Sequence, residues 1–173
     1  MSLPRLKIRP LMESDARAWW DLRLASLESD PFAFGKSVEE HMEMSMGEIA
    51  LRFHASSSDY YTLGAFDAGI LVGMVTFMRA AGSKECHKGH VFGVYVAPSH
   101  RSQGLSKSLL NALIETARCD ESLEQLTLGV AATQTAAKGL YLSLGFVVYG
   151  TEPRAKKVGS TYVDEDHMIL QLR

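Results

Sequence analysis

The chain has 173 residues, a mass of 19.0 kDa and 46% apolar residues, which is the usual size of one domain with a real core. A formal net charge of −2 excludes a broad cationic surface of the kind that drives nonspecific binding to nucleic acid or to anionic membranes, so any anion has to be bound locally. Two widely spaced cysteines exclude a disulfide framework, and no stretch approaches the roughly 18 apolar residues of a membrane span or forms a signal peptide, which favours a cytoplasmic location.

The first half of the chain predicts a strand, two helices and a hairpin. Residues 6–9 alternate like a short strand that Pro10 ends. The first helix begins near Ser14 and Asp15, and its apolar stripe is Ala16, Trp20, Leu24 and Leu27. The second helix has the stripe Met42, Met46, Ile49 and Phe53. Two β-rich runs then meet in a tight reversal at 67–69, which indicates a hairpin.

The second half predicts strands and helices in alternation. "HVFGVYVA" is a strand, "LSKSLLNALIETA" an amphipathic helix, "LEQLTLGV" a strand and "TAAKGLYLSLGF" a short helix, and "FVVYG" and "DHMILQL" are the last two strands. "PRAKKVG" between them is interpreted as an exposed basic loop. The mixture favours an α/β or α+β fold, with helices flanking one mixed central sheet and residues 1–173 forming a single domain.

The segment 94–110, "VYVAPSHRSQGLSKSLL", runs from a strand through a polar turn into a helix. A helix N-terminus presents unpaired amides and the positive end of the helix dipole, so a turn of small residues there is suited to phosphate. Gly104 allows close approach of a ligand to the backbone, and Arg101 and Lys107 add positive charge. The segment therefore predicts a site for a phosphate-bearing ligand.

Two familiar nucleotide motifs do not fit this turn. The Lys107–Ser108 pair matches the end of a P-loop, but Ser106 and Arg101 stand where that motif requires glycine. No G-x-G-x-x-G sequence follows a predicted strand, so the dinucleotide fingerprint is absent as well.

The pattern Arg-x-x-Gly-x-Ser directly after "VYVAP" resembles the Gln/Arg-x-x-Gly-x-Gly/Ala pyrophosphate loop of the Gcn5-related N-acetyltransferase (GNAT) superfamily. Downstream, "LGVAATQTAAKGLYLSLGF" is similar to the second conserved block of that family, a strand and a short helix with a Leu-Tyr pair followed by Gly-Phe. "IRPLMESDA" and "GAFDAGILVGMVTF" also sit where the family begins and continues. The resemblance implies the GNAT fold and transfer of an acetyl group from acetyl-CoA to an amine.

The resemblance also implies a cofactor site, residue by residue. The backbone of Val94 and Val96 would run beside the pantetheine arm, and Gln134 stands where the family commonly has Asn. The turn would hold the pyrophosphate through its amides and through Arg101, and its residues are Arg101, Ser102, Gln103, Gly104, Leu105, Ser106 and Lys107. Ser106 departs from the usual Gly or Ala.

The same resemblance implies two catalytic residues. Tyr141 occupies the position of the frequent general acid, and a phenol of pKa ~10 can protonate a leaving thiolate of conjugate pKa ~8.5. His90 stands where several relatives have a Glu base, and an imidazole of pKa ~6.5 can take the proton of the amine directly or through water. The amide of Val96 is a candidate oxyanion donor. Transfer is expected to be direct, through a tetrahedral intermediate.

Several alternatives stay open at this level. Tyr141 could only pack the short helix, and His90 could be an ordinary hydrogen-bonded strand residue. A noncatalytic acyl-CoA-binding sensor would keep the loop without the base, and a metal-binding regulator would use "CHKGH", although no metal is expected because a second pair of ligands is missing. The acceptor could be a small molecule or a peptide. A carboxylate among Glu39, Glu40 and Glu43 could attract the amine of that acceptor. A homodimer is also possible, as the family resemblance permits one.

Overall fold

A computed structural model of the chain describes residues 6–173. The elements are β1 (Lys7–Pro10), α1 (Ala16–Ser29), α2 (Val38–Met42), α3 (Met46–His54), β2 (Tyr60–Asp67), β3 (Ile70–Arg79), β4 (Lys88–Val96), α4 (Leu105–Arg118), β5 (Gln125–Ala131), α5 (Thr135–Ser143), β6 (Val147–Val158) and β7 (Thr161–Gln171). Short 3₁₀ turns at Glu13–Asp15 and Pro98–His100 precede α1 and α4. The order of strands and helices agrees with the sequence prediction, except that the second predicted helix is two helices.

Seven strands form one mixed sheet in the order β1-β2-β3-β4-β5-β7-β6. All neighbouring strands are antiparallel except β4 and β5, which are parallel because α4 carries the chain back across the sheet between them. Two apolar clusters cover the two faces. One is built around α4 and includes Leu109, Leu110 and Leu113, and the other joins α1 and α3 to the opposite face. The fold is therefore a sheet between two helical layers, as expected.

The predicted apolar stripe of helix α1 is correct at its ends and wrong in its middle. Ala16 and Leu27 are buried as predicted, but Trp19 and Leu22 are buried where Trp20 and Leu24 were expected, and the latter two are only half-buried. The difference arises because α1 has two neighbours, the sheet and the α2–α3 segment, and they bury a face centred on Trp19. Trp20 instead stacks on the ring of His41, with 5.1 Å between ring centroids.

The second predicted helix divides at residues 43–45. Ser37 caps α2 and Ser45 caps α3, each by accepting a hydrogen bond from the amide three residues later. The break rotates the buried face, so Met42 is exposed and His41 is almost completely buried in its place. Ile49 and Phe53 are buried as the stripe predicted.

The "PRAKKVG" segment is not a free loop. Residues 153–158 belong to β6, which continues through a bulge to Val158 and pairs with β7 on both sides of it. Arg154 adopts a φ of 55° at this bulge, and its amide donates to the carboxylate of Asp164. The bulge directs Lys156 toward the centre of the molecule, where its side chain is mostly buried.

Candidate active site

A cleft opens where the two parallel strands separate. Strands β4 and β5 pair at only three positions, the last of which joins His90 to Thr127. Beyond it β4 continues beside β3 while β5 continues beside β7, and the two strands diverge. The gap is a cavity of about 520 Å³ whose walls include Val94, Val96, Leu128, Val130, Gln134 and Tyr141.

A bulge in β4 shapes the middle of this cleft. Tyr95 pairs with Met74 and Phe92 with Thr76, so the single residue between them on β3 stands opposite two residues of β4, Gly93 and Val94. Gly93 has a φ of 65°, which favours glycine because other side chains are strained there. The bulge turns this stretch of backbone away from β3 and toward the cleft.

The alternation of β4 directs the Val96 amide into the cleft. The amide of Ala97 donates to the carbonyl of Val72 on β3, and successive amides of a strand point to opposite sides. The amide and carbonyl of Val96 therefore point toward β5, and Arg101 Nε donates to that carbonyl over 3.0 Å. This leaves the Val96 amide facing the gap.

The turn before α4 presents a row of free donors. Ser102 and Gly104 have φ values of 61° and 77°, and these left-handed residues turn the chain sharply into the helix. In the part of the chain that the structure describes, the backbone amides of residues 102–107 donate to no carbonyl and no side chain. Six free amides at the positive end of a 14-residue helix suit a diphosphate.

The residues predicted for the pyrophosphate turn fall into two groups. Arg101 and Ser106 line the cleft, whereas the other five residues do not, and the side chain of Leu105 is buried in the core. Arg101 also contacts Asp30 through Nη2 at 3.2 Å, so its guanidinium joins the turn to the end of α1 and to the end of β4. Its observed contacts position the turn.

The opposite wall carries two further predicted residues. Gln134 is the N-cap of α5 and lines the cleft. Tyr141 lies further along α5 and is buried against Phe146. Burial raises the pKa of its phenol to about 12. The hydroxyl therefore stays protonated near neutral pH, which is the state that a proton donor requires.

His90 lies outside the walls of the cleft. It sits at the last paired position of β4 and β5, before the strands separate, and its Nδ1 is 2.8 Å from the hydroxyl of Thr127. The structure thus brings Tyr141 and the pyrophosphate turn to one cavity but not His90. Its assignment as the general base stays a prediction.

Lys156 and Glu165 are among the charged residues of the cleft that the sequence reasoning missed. Lys156 Nζ lies 2.6 Å from Glu165 Oε1, and both side chains are mostly buried in the cleft wall. The pair lies over Gly129, where an added Cβ would come within 2.4 Å of that carboxylate. The alternation of β7 could have placed Glu165 on the inner face, but nothing in the sequence marked Lys156 as part of a strand.

Two general features complete the description. Among residues 6–173, no helix is both long and apolar enough to cross a membrane. Within the same range, no group of three or more His, Cys, Asp or Glu side chains could hold a metal ion.

A seven-stranded mixed sheet that opens between its two parallel strands, with helices on both faces, defines the class of the fold as a layered α/β protein. The sequence model of the acetyltransferase (GNAT) family matches residues 19–146. The chain therefore belongs to the GNAT family, and its fold and the sequence resemblance are confirmed.

Known proteins similar to this chain agree with that assignment. The L-amino acid N-acyltransferase MnaT of Escherichia coli is 37% identical over 79 residues, which cover 46% of this chain and 45% of MnaT. A GNAT acetyltransferase from Streptococcus pneumoniae superposes with a TM-score of 0.87 at 27% identity, over 96% of this chain and 99% of that one. Salmonella typhimurium yncA, solved with acetyl-CoA, shares the fold with a TM-score of 0.83 at 22% identity, over 98% and 95% of the two chains. The chain spans about half the length of the curated relatives it matches.

Proposed function

We propose that the protein is an acetyl-CoA-dependent N-acetyltransferase that moves the acetyl group to a primary amine by direct transfer through a tetrahedral intermediate. The observation that carries the proposal is the run of free amides at residues 102–107 in a turn whose Arg101 and Ser106 line the cleft between β4 and β5. Family membership and MnaT, named as an N-acyltransferase, support it.

The binding roles follow the length of the cleft. The amides of the turn, helped by Arg101 and Lys107, bind the diphosphate. The bulged backbone around Val94 supplies unpaired groups for the amides of the pantetheine arm, and Gln134 contacts the arm from the facing wall. When bound, acetyl-CoA supplies the acetyl group as a thioester, and these contacts aim it at Val96.

The chemical roles belong to Val96 and Tyr141. The amine attacks as the free base and forms the N–C bond, while the inward amide of Val96 donates to the developing oxyanion. The C–S bond then breaks and the Tyr141 phenol protonates the leaving thiolate. The proton that the nitrogen loses passes to water, and water reprotonates the phenolate. Cys86 and Cys119 are both exposed and neither lines the cleft, so no cysteine is placed to carry the acetyl group. Direct transfer to the amine follows.

The same proposal covers the setting of the enzyme. We assign residues 1–173 to a single N-acetyltransferase domain, supported by the presence of β1 and β7 in one sheet. Two free, exposed cysteines are typical of a reducing cytoplasm. Exposed apolar residues on the edge strand β6, among them Val147 and Tyr149, support a homodimer. The acceptor is a small molecule or a peptide with a primary amine.

The test has a binding part and a turnover part. Calorimetry measures the binding of CoA and of acetyl-CoA to the intact protein, and release of free CoA is then followed across amino acids, polyamines, aminoglycosides and peptides. We expect binding of both ligands and amine-dependent release. Binding without release above background would favour an acyl-CoA sensor, and an acetylated protein that forms without amine and then transfers its acetyl group would contradict direct transfer.

A further inference from the structure

A second pocket of about 250 Å³ adjoins the cleft at the β4 bulge. Four residues line both cavities: Arg23, Gly35, Phe92 and Gly93. The pocket therefore begins beside the bulged strand along which, on the proposed function, the thioester is aimed. An acceptor seated in it would present its amine at Gly93.

Three cations surround this pocket. Arg23, Lys36 and Arg52 line it, and no Asp or Glu does. Within residues 6–173, none of the three has a carboxylate oxygen within 4.0 Å of its charged nitrogens. The Glu48 carboxylate accepts hydrogen bonds from the amide and hydroxyl of Ser45 at 2.8 Å. These bonds lower its pKa most, and the charges of Arg52 and Lys36 lower it further.

The pKa of His41 is affected by these three positive charges. Burial lowers the pKa of its imidazole, and the charges of Arg23, Lys36 and Arg52 lower it further. Its Nε2 lies 3.0 Å from the carbonyl oxygen of Trp20, so Nε2 carries the hydrogen and donates it. The histidine is thus a neutral wall of the pocket, and the positive charge comes from the other three residues.

Arg23 is the most unusual of the three cations. Its guanidinium is mostly buried above the ring of Phe34, at 4.3 Å from the ring centroid, and burial together with Arg52 lowers its pKa to about 10. Its Nη1 is inaccessible to solvent and has no hydrogen-bond partner among the described residues. A buried cation without a partner is costly, and a bidentate oxyanion is the ligand that satisfies a guanidinium best.

The remaining walls limit the size and polarity of the occupant. Trp19, Met44 and Met74 provide apolar and thioether surface beside the cations. The volume is below the roughly 300–1,000 Å³ of sites for drug-sized ligands, so the pocket accepts a small molecule. Glu39, Glu40 and Glu43, which the sequence left open as residues that could attract a cationic amine, do not line it. Glu40 accepts a hydrogen bond from the amide of Ser37 instead.

We propose that this pocket is the acceptor subsite and that the acceptor is a small amine carrying a carboxylate, which Arg23 and Arg52 bind while the amine faces Gly93. The inference rests on the proposed acetyl transfer and specifies its substrate class. An apolar side chain on the acceptor is accommodated against Trp19 and the methionines.

The experiment compares acceptors that differ in the carboxylate alone. Steady-state kcat/KM is measured for L-methionine, L-leucine and L-phenylalanine, each against its own amide. Amidation lowers the pKa of the α-amine and increases the reactive free amine near neutral pH, so amine reactivity alone favours the amide. We expect kcat/KM for each amino acid to exceed that for its amide by about 10- to 100-fold, which corresponds to the free energy of one charge-assisted hydrogen bond.

Variants then assign that preference to the pocket. Arg52→Gln and Arg23→Gln should raise KM for the amino acid about 10- to 100-fold and leave KM for its amide nearly unchanged. Arg52 does not line the cofactor cleft, so Arg52→Gln should also leave the Kd of acetyl-CoA nearly unchanged. Arg52→Lys should recover part of the loss. Arg17→Gln is the matched control because it removes the same charge from the exposed face of α1, and it should change nothing. Arg52→Gln keeps the test valid if the buried Arg23→Gln variant does not fold.

The outcomes separate the inference from the function on which it rests. Turnover of neutral amines or amides that equals turnover of the carboxylates, or a preference that Arg52→Gln leaves intact, overturns the carboxylate subsite while acetyl transfer stands. A preference for succinyl-CoA over acetyl-CoA would indicate that the cations bind a carboxylate of the acyl donor, which would also overturn the acceptor subsite. Binding of acetyl-CoA without turnover of any amine would instead contradict the proposed function.

Discussion

At the residue scale, Tyr141 has the environment of a proton donor. Its phenol is buried in the cleft wall, and that burial raises its pKa to about 12. We expect Tyr141→Phe to lower kcat about 100-fold or more while the Kd of acetyl-CoA changes little, because general acid catalysis is typically worth 10²–10⁴. In the wild type, kcat should not fall between pH 6 and 10 through ionisation of this phenol, because its pKa of about 12 lies above that range. A Phe variant within threefold of the wild-type kcat would leave Tyr141 a packing residue.

His90 presents a separate question at the same scale, since its imidazole contacts Thr127 rather than the cleft. A role as the base, even through water, requires His90→Gln to lower kcat/KM by about 100-fold near neutral pH. Thr127→Val is the control, because it removes the hydrogen bond while keeping the imidazole. A change below threefold in His90→Gln would exclude His90 from proton transfer.

At the scale of the element, the proposed diphosphate site depends on how α4 begins. Gly104 has a φ of 77° and an added Cβ would meet no atom within 4 Å, so a substitution there acts through backbone conformation alone. Gly104→Ala should cost about 1–2 kcal/mol in stability or shift the turn and weaken CoA binding. Gly139→Ala is the matched control, because Gly139 lies inside α5 with open space and an ordinary φ.

The control has an expected sign of its own. Alanine should stabilise α5 by about 1 kcal/mol relative to glycine without altering CoA affinity. Urea unfolding and CoA calorimetry on both variants measure the pair. Equal CoA affinity in Gly104→Ala and the wild type, at unchanged stability, would show that the left-handed turn is dispensable for binding.

At the scale of the molecule, an ion pair ties the edge of the sheet to the helical layer that carries Arg23. Arg9 of β1 donates two hydrogen bonds, of 2.6 and 2.9 Å, to Asp15 at the start of α1. These bonds and the amide of Met12 lower the pKa of the Asp15 carboxyl. Because the pKa of Asp15 is lower in the folded state than in the unfolded state, its ionised carboxylate stabilises the fold. This stabilisation is fully present above the unfolded pKa of ~3.9 and is lost as the pH falls through the folded pKa.

Asp15→Asn should therefore lower the free energy of unfolding by about 1–3 kcal/mol at pH 7, and the gap from the wild type should narrow below pH 4. Urea titrations at pH 7, 4 and 3 measure both effects. Asp21→Asn, on the exposed face of α1 where its partner is Arg17, should stay within about 0.5 kcal/mol of the wild type. A gap for Asp15→Asn that does not change with pH would indicate lost packing instead of lost charge.

The sequence by itself determined most of the elements and the position of the turn before α4, because both depend on local patterns. Alternation, helical periodicity and the Arg-x-x-Gly-x-Ser spacing are properties of neighbours in the chain, and the turn at Gly104 and the stripe of α4 are where they were expected. The resemblance added Tyr141 and Gln134, which the structure brings to the same cleft. Leu105, by contrast, turns its side chain into the core and offers only its backbone.

Only the tertiary structure decided what faces the reaction centre from elsewhere in the chain. Arg23, Arg52 and His41 come from three helices and meet at the β4 bulge, and no periodicity within one helix indicates such a meeting. The bulge in β6 brought Lys156 to Glu165, and the separation of β4 from β5 left His90 outside the cleft. Burial and charge at a site depend on contacts between distant segments, so they appear only when the sheet and its helical layers are assembled.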